Sequence, residues 1–433
     1  VTGEKLRNYG FWMVDFLRQG RIRKPYNDIK KIIEDEEIGK KRAEEYLDNL
    51  LYHAVNTTKH YEKYKGYTSL SDFPVITKKD IKNDYEGFLS DKYGIKDLVS
   101  IQTSGSYGTP FTFYITKEKK ARQTAEVLYF CQWVQYDVGM RHAYLRARVD
   151  KSKIKLKAQN EYYIYTRTID NNWLVNARNI IMGKKVRILI GFPTAISAIA
   201  QYCHEQGDRS KNFSIIGVAT TAEPLLDSQR DIIESVFGCD CLSRYSTEEL
   251  GVLANECSTF KKHHINTASY KVEILDLNED KPAKEGEVGR IVVTDLFSYA
   301  MPLIRYEIGD LGILGKECSC GLKGPIIESL HGRTVESVYS TQGKKVLPYF
   351  IDEVMKDCPN VIQYQFIQEG RKNYRFKVCK VEGTEVEEER IINGIQKWMG
   401  KDAIVKIEFV DDIQKLKSGK RPYVINNYKH HNN

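Results

Sequence analysis

The chain has 433 residues, more than one ordinary hydrophobic core encloses, so two domains are expected. It is 41% hydrophobic and 29% charged, and no apolar run approaches membrane-spanning length, which favours a soluble globular protein without a membrane span. The net charge of +8 comes from 66 basic and 58 acidic residues mixed along the chain, a balance that suits anionic small molecules or an acidic surface but forms no nucleic-acid-binding stripe.

Residues 1 to about 65 read as helical and polar, with Ile38, Tyr46, Leu47, Leu50, Leu51, Ala54 and Val55 near helical spacing. No signal-peptide core is present, because Phe11-Trp12-Met13-Val14 is interrupted by Asp15 and Arg18. Nine cysteines, an odd number without small-scaffold spacing, fit a reduced, cytoplasmic compartment. Phe73 to Asp80 reads as a short extended piece followed by a helix start, with Thr77 as its cap.

The stretch Ile101 to Pro110 stands out. Thr103, Ser104, Gly105, Ser106 and Gly108 put three hydroxyls and two glycines into six residues, and Phe111 to Thr116 follows as a strand. Glycines let the backbone turn close to a ligand, and hydroxyls and N–H groups then converge on phosphate oxygens. It is neither a Walker loop nor a dinucleotide fingerprint, since no Gly-Lys-Ser/Thr closes it and it leads into a strand. A plain Ser/Gly hairpin is the competing reading.

Ala121 to Tyr136 reads as a long helix. Arg141 to Lys157 is strongly basic, either a solvated face or an anionic acceptor site. Asn160 to Ile181 reads as aromatic and irregular. Lys185 to Pro193 reads as a buried strand, with Thr194 capping a helix through Cys203. Ser214 to Thr221 is another apolar strand, running through Ala222-Glu223-Pro224-Leu225 into a helix from Leu226 to Phe237. Strands alternating with helices argue a parallel α/β layer with ligands at the strand carboxyl ends.

Further on lie Tyr245-Ser246-Thr247-Glu248 and Leu303 to Asp310, the latter a Gly-Asp turn after a strand on the plainest reading. Cys257, the pair His263-His264 and the tight Cys318-Ser319-Cys320 offer thiolates and imidazoles of the kind a closed, structural zinc site takes; ordinary thiols and a surface histidine pair are the alternative. From Glu336 the pattern is strand, helix (350–356), strand (361–369), strand (374–380), helix (385–399), strand (403–410), a compact α+β unit. Ile413 to Arg421 is a basic, glycine-containing segment that is either a mobile loop or a basic tail.

Together these segments resemble the adenylate-forming enzymes, in the branch of phenylacetate–coenzyme A ligase and its capsular-polysaccharide relatives. The family's phosphate loop, T-S-G-S-T-G-x-P, is matched at Thr103-Ser104-Gly105-Ser106 and Gly108-x-Pro110, with Tyr107 and Thr109 departing. F-P-x-x-x-K-x-D is matched at Phe73 to Asp80. G-E-P-L appears with Ala222 for glycine, and Y-G-x-T-E with Ser246 for glycine. R-Y-x-x-G-D is matched at Arg305 to Asp310, and G-R-x-D-D at Gly332-Arg333, where Val335 replaces the hinge aspartate and Glu336 keeps the second acid. A glycine-lysine pair, Gly419-Lys420, stands where the family has one near its end.

The resemblance implies an α/β protein with a large adenylation domain of parallel and mixed sheets, residues 1–333, and a small mobile α+β lid, residues 334–433. It implies MgATP bound by Thr103, Ser104, Gly105, Ser106, Gly108, Glu223, Tyr245, Ser246, Asp310 and Arg333. Thr247, Glu248 and Lys420 would act on the phosphates, Glu248 through Mg²⁺. By the family's register His264, not His263, joins Cys257, Cys318 and Cys320 around a structural Zn²⁺. The reaction implied is formation of an acyl-AMP from a carboxylate with release of pyrophosphate, then acyl transfer to a thiol or amine. Coenzyme A is one such acceptor; an amide-forming ligase acting on a uronic or other polar acid is another form of the reading, the basic and aromatic stretch Arg141 to Arg178 shaping a polar acyl pocket. A catalytically inactive, zinc-stabilised binding protein, to which Tyr107 and Val335 would point, is the reading from another class. The oligomeric state stays open, a homodimer among the options.

Overall fold

The computed structural model describes residues 2–103, 111–146, 151–166, 169–333, 338–346, 350–355, 358, 360–381, 383–414 and 422–428. Three helices open the chain: α1 (Thr2–Leu17), α2 (Arg23–Glu34) and α3 (Glu36–Thr57). Asp35 separates the last two by accepting a hydrogen bond from Ile38 N–H. The short α4 (Lys78–Asn83) starts at Thr77 as expected, in a reciprocal capping box with Asp80. Strands β1 (Val99–Thr103) and β2 (Phe111–Ile115) pair antiparallel, Thr103 opposite Phe111. Thr116 then caps α5 (Lys117–Cys131).

The next stretch alternates strand and helix: β3 (His142–Arg146), α6 (Lys153–Gln159), β4 (Glu161–Tyr165), α7 (Asn171–Gly183), β5 (Ile188–Gly191), α8 (Pro193–Glu205), β6 (Gly217–Thr221), α9 (Asp227–Phe237) and β7 (Cys241–Thr247). Neighbours among β4, β3, β5, β6 and β7 are parallel. Both faces of this layer are buried, as parallel sheets require. Leu189, Val218 and Cys241 face α7, α8 and α9. Ile188, Ile190, Ala219 and Leu242 face Cys131, Val134 and Tyr136 at the end of α5.

From β7 the sheet continues antiparallel through β8 (Gly251–Glu256), β9 (His263–Ile265), β10 (Tyr270–Leu275), β11 (Gly289–Asp295), β12 (Tyr306–Gly315) and β13 (Ile326–Arg333). Among the described residues eleven strands form one sheet, in the order β10-β11-β12-β13-β9-β8-β7-β6-β5-β3-β4. Beyond it come β14 (Val338–Tyr339), β15 (Lys345–Val346), α10 (Phe350–Met355), β16 (Val361–Gln368), β17 (Asn373–Lys380), α11 (Glu388–Met399), β18 (Ile404–Phe409) and β19 (Val424–Asn426). A separate four-stranded sheet, β18-β17-β16-β19, carries α10 and α11 on its own core of Phe350, Phe366, Phe376, Ile391 and Ile395. It meets the large sheet's helices at α9, where Ser228 Oγ donates to Val361 O at 3.0 Å and Leu226 packs into the smaller core. This is the α/β architecture with a small α+β unit that the motifs imply.

Several local expectations change. The helix expected to Tyr136 ends at Cys131; a short 3₁₀ turn and the left-handed Gln135, φ 63°, close it. Asn160 to Ile181 is not irregular. It holds β4 and α7, the latter capped by Asp170 accepting from Trp173 N–H at 2.8 Å. Thr194 does not cap α8. Phe192 precedes the helix, Pro193 takes its first position, and Thr194 lies within the first turn. β19, which adds parallel to β16, has no counterpart in the sequence reading, because three residues are too few to show a period.

The buried polar face of α5 ties the two halves of the large sheet together. Lys119 Nζ lies 2.7 Å from Asp295 Oδ1 with both side chains essentially inaccessible, and donates to Tyr270 OH at 3.1 Å. Glu126 accepts from Val252 N–H at 3.2 Å, and Gln123 donates to Leu250 O at 3.0 Å. Burial drives the carboxyls of Asp295 and Glu126 above their ordinary range, against the pull of Lys119.

Lys119→Met, which strands two buried carboxyls, is expected to cost about 3–5 kcal/mol in denaturant unfolding. Adding Asp295→Leu should return part of that loss, because removing both ends of a buried pair is far cheaper than removing one. A second outcome concerns Ala222, which sits at φ 71° after β6. A left-handed alanine costs on the order of 1 kcal/mol that glycine does not. Ala222→Gly should therefore raise the unfolding midpoint or leave it unchanged, where an ordinary Ala→Gly change lowers it.

Candidate active site and metal centre

The candidate crevice runs along the carboxyl ends of the parallel strands. The chain leaves β3 to one side for β4 and returns on its other side for β5, so strand order switches between β3 and β5. Open α/β sheets bind ligands outside such a switch point. Arg146 ends β3 and Gly191 ends β5 there.

Past the end of β6, the left-handed Ala222 turns Glu223 back towards α8. Thr194 hydroxyl donates to Glu223 Oε2 at 2.7 Å, and Thr194 N–H at 3.4 Å. The carboxylate thus sits at the first turn of α8, where unsatisfied N–H groups and the helix dipole favour an anion. At the end of β7, Ser246 Oγ lies 3.1 Å from Thr221 Oγ1. Thr247 Oγ1 accepts from Leu250 N–H at 3.2 Å and closes the turn that presents Glu248 to solvent. Glu223, Thr221, Ser246, Thr247 and Glu248 therefore line one edge.

Tyr245 and Asp310 meet. Tyr245 hydroxyl donates to Asp310 Oδ2 at 2.7 Å, joining β7 to β12 across the sheet. Gly309, φ 85°, makes the turn in β12 that aims Asp310, and the strand shifts register just after it. Arg333 stands opposite Asp310 on β13. Arg305, by contrast, is committed to the fold. Its backbone is left-handed, φ 49°, its guanidinium donates to Phe73 O at 2.9 Å, and its backbone carbonyl accepts from Ile76 N–H. The Phe73 to Asp80 and Arg305 to Asp310 motifs, read apart in sequence, are thus one hydrogen-bonded unit.

Thr103 ends β1. Ser104, Gly105, Ser106 and Gly108 lie outside the described residues, as does Lys420.

The basic stretch after Arg141 divides. Arg141 pairs with Glu4 and Lys151 with Glu161. Arg178 makes two bonds of 2.6 and 2.8 Å to Asp208, on the helix side, so the stretch read as shaping the acyl pocket is spent in part on the fold. Arg146 is different. Its guanidinium lies 4.3 Å from the Tyr144 ring centre. The side chain is exposed; crowding of nearby atoms opposes its charge only in part, and Tyr144, Glu248 and Tyr163 favour it and raise its pKa. Sequence reading passed over Arg146 as one cation in a run. Its place at the end of an alternating strand, His142-Ala143-Tyr144-Leu145-Arg146, was the available signal.

Cys257, His264, Cys318 and Cys320 converge, each offering one ligand atom, all within 4.8 Å of one another. Cys257 Sγ and Cys318 Sγ are 3.8 Å apart, and Cys320 Sγ is 3.3 Å from His264 Nε2. Two thiolates about 2.3 Å from a tetrahedral metal lie about 3.8 Å apart, so the donor set fits such an ion. Three elements build it: the turn after β8, where Cys257 N–H donates to Lys262 O; strand β9, which presents His264 between β8 and β13; and the Cys318–Cys320 turn, completed by Gly321 at φ 94°. Burial, then the neighbouring His263, pull the His264 imidazole down to about 4, leaving it neutral. Burial pushes the Cys318 thiol up to about 11, whereas for Cys257 the amides of Lys262 and Phe260 outweigh burial and hold it below the usual thiol range. All nine cysteines are free thiols.

The segment 338–427 matches the family model described as the CapK C-terminal domain. Over 96% of its length the chain is 25% identical to protein CapK of Staphylococcus aureus, covering 95% of that protein. It is 29% identical to the phenylacetate–coenzyme A ligase of Thermus thermophilus over 40% of each chain, and 24% identical to that of Escherichia coli over 58% of this chain and 59% of the other. Both of those matches span well under two thirds of the relative. Among solved structures, 2-hydroxyisobutyryl-CoA ligase in a postadenylation state superposes with a TM-score of 0.72 at 15% identity over 92% of both chains. ATP-bound MatB of Rhodopseudomonas palustris gives 0.54 at 16% identity over 76% of this chain and 67% of that one. The chain therefore has the fold of 2-hydroxyisobutyryl-CoA ligase and MatB, that of the adenylate-forming ligases, and is similar in sequence to CapK and to phenylacetate–coenzyme A ligases.

Proposed function

We propose that this protein activates a carboxylic acid with MgATP, forming an acyl-AMP and releasing pyrophosphate, and then transfers the acyl group to an acceptor, coenzyme A in the first reading. The observation that carries this is the 2.7 Å bond between Tyr245 and Asp310, residues 65 positions apart in sequence that meet at the edge of the crevice. A carboxylate there can accept from both hydroxyls of a ribose, and the Tyr245 ring offers a face for a purine. Thr247 ends the same strand, β7, and Glu248 follows it, the side for phosphates and Mg²⁺, a hard cation that takes carboxylate oxygen. The hydroxyls of residues 103–106, the backbone at Gly105 and Gly108, Glu223, Ser246 and Arg333 complete the nucleotide site in this reading. Lys420, on the lid (residues 334–433), would neutralise charge as the acid's oxygen bonds to the α-phosphorus and the bond to pyrophosphate breaks. The chemistry needs positioning and charge neutralisation rather than a covalent enzyme intermediate. ATP and free thiols both suit a cytoplasmic setting.

A second reading starts from the acid. Arg146, at the end of β3, sets a cation beside an aromatic wall, Tyr144, which suits a polar or charged acid such as a uronic acid. An amide-forming ligase is the form that reading takes.

Pyrophosphate release measured over a panel of carboxylates, with coenzyme A, with amines and with neither, decides between these. Release that depends on one acid class is expected. Asp310→Ala should weaken ATP binding at least ~10-fold by calorimetry, the scale of a hydrogen bond to a charged group. Lys420→Ala should still bind ATP but lose at least ~10²-fold in adenylation, with transfer from supplied acyl-AMP far less affected and Lys415→Ala and Lys417→Ala near wild type. Absence of ATP binding and of pyrophosphate release with every acid would instead favour a binding protein that has lost catalysis.

The thiolate–imidazole set is proposed to hold one structural Zn²⁺, whose closed coordination would pin the Cys318–Cys320 turn to β9. Elemental analysis of folded, chelator-washed protein should find about one zinc per chain, and none would remove the assignment. Cys320→Ser should lower the unfolding midpoint before it lowers nucleotide affinity.

A further inference from the structure

Helix α1 is inside out. Its polar side chains hold it to the body of the protein. Glu4 accepts from Arg141 N–H at 3.1 Å and pairs with Arg187 at 3.0 Å, and Asn8 donates to Asp137 at 2.9 Å. Asp15 accepts from Ile22 and Arg23 N–H, both at 2.9 Å. Phe11 and Trp12 are half-buried, Trp12 against Tyr26 of α2, but five other large apolar side chains point the other way. Leu6, Tyr9, Met13, Phe16 and Leu17 are each more than 60% exposed and recur at helical spacing, so they form one stripe. A contiguous exposed apolar stripe marks an interaction surface.

The exposed charged side chains of this segment are of one sign. Lys5, Arg18, Arg21, Arg23 and Lys24 are exposed. The acids of residues 2–31 are Glu4, Asp15 and Asp28; the first two are turned inward as above, and Asp28 is held by Arg42 and Arg122. A second copy of this chain meeting the face about a two-fold axis would bring these cations against one another, with no exposed acid in this segment to answer them. An anionic bilayer surface answers both features. Apolar side chains enter the boundary between headgroups and acyl chains, and Lys and Arg meet the headgroup phosphates. Among the described residues no helix is long and apolar enough to cross a membrane, so α1 would lie in the interface plane. We propose that α1 is a membrane-surface helix that seats this protein on an anionic leaflet through Leu6, Tyr9, Met13, Phe16 and Leu17, with Lys5, Arg18 and Arg21 as its electrostatic rim.

The test is co-sedimentation of the full chain with vesicles of phosphatidylcholine alone and of phosphatidylcholine with phosphatidylglycerol, at low and at high salt. Binding is expected to the anionic vesicles and to fall as salt screens the rim. Phe16→Asp with Leu17→Asp should reduce partitioning at least ~10-fold, since two large apolar side chains no longer leave water. Arg18→Glu with Arg21→Glu should reduce it at low salt. These side chains are exposed, so unchanged circular dichroism and melting are the accompanying control. Absent binding, equal binding to neutral and anionic vesicles, or binding indifferent to Phe16→Asp with Leu17→Asp would each overturn the proposal. So would light scattering that shows a dimer which this apolar double variant dissociates, because a second copy would then cover the stripe.

Discussion

The structure depends on one buried interaction, the Lys119–Asp295 ion pair with its surrounding polar groups on α5. A parallel layer and an antiparallel layer share one twisted sheet here, and they have different needs. The parallel half must be covered on both faces. α5 and the turn after it cover one face, while its upstream half sends Lys119, Gln123 and Glu126 into the antiparallel half, against Tyr270, Leu250 and Val252. Hydrophobic packing alone would allow α5 to slide. Buried charges do not, since each displacement leaves one without its partner.

With α5 held, β7 is held, and β7 is where the two halves meet. Its upstream residues pair in parallel with β6 and its other edge pairs antiparallel with β8, with a register shift between Tyr245 and Ser246. That shift aims neighbouring side chains differently. Tyr245 reaches Asp310 on the antiparallel side, and Ser246 reaches Thr221 on the parallel side. A strand between two pairing modes can therefore address two parts of one large ligand, which a strand inside a uniform sheet cannot do as readily.

The thiolate–imidazole cluster draws on the same sheet at another place. β9 lies between β8 and β13, so His264 is fixed by ladder hydrogen bonds on both sides, whereas the three cysteines stand on the two turns beside it. The helical entry to the chain is built on a different rule. α1 turns Glu4, Asn8 and Asp15 inward and Leu6, Tyr9, Met13, Phe16 and Leu17 outward, the reverse of a helix folded for its own core.

The sequence alone determined the alternation of strands and helices from Lys185 to Phe237, the capping of α4, the α+β pattern after residue 336, and the motifs of the candidate site. Those features are local: a two-residue or 3.6-residue period, a cap, or a short run of hydroxyls, glycines and acids has its meaning within a few residues of chain. Only the tertiary structure decided that Tyr245 binds Asp310, that Glu223 serves the first turn of α8, and that Arg305 clamps Phe73. It alone sorted one basic run into Arg141 and Lys151 with fold partners and Arg146 at the crevice, and turned the apolar stripe of α1 to solvent. Those facts rest on pairs separated by tens to hundreds of residues, and a side chain's charge or apolarity does not say which partner the folded sheet will bring to it.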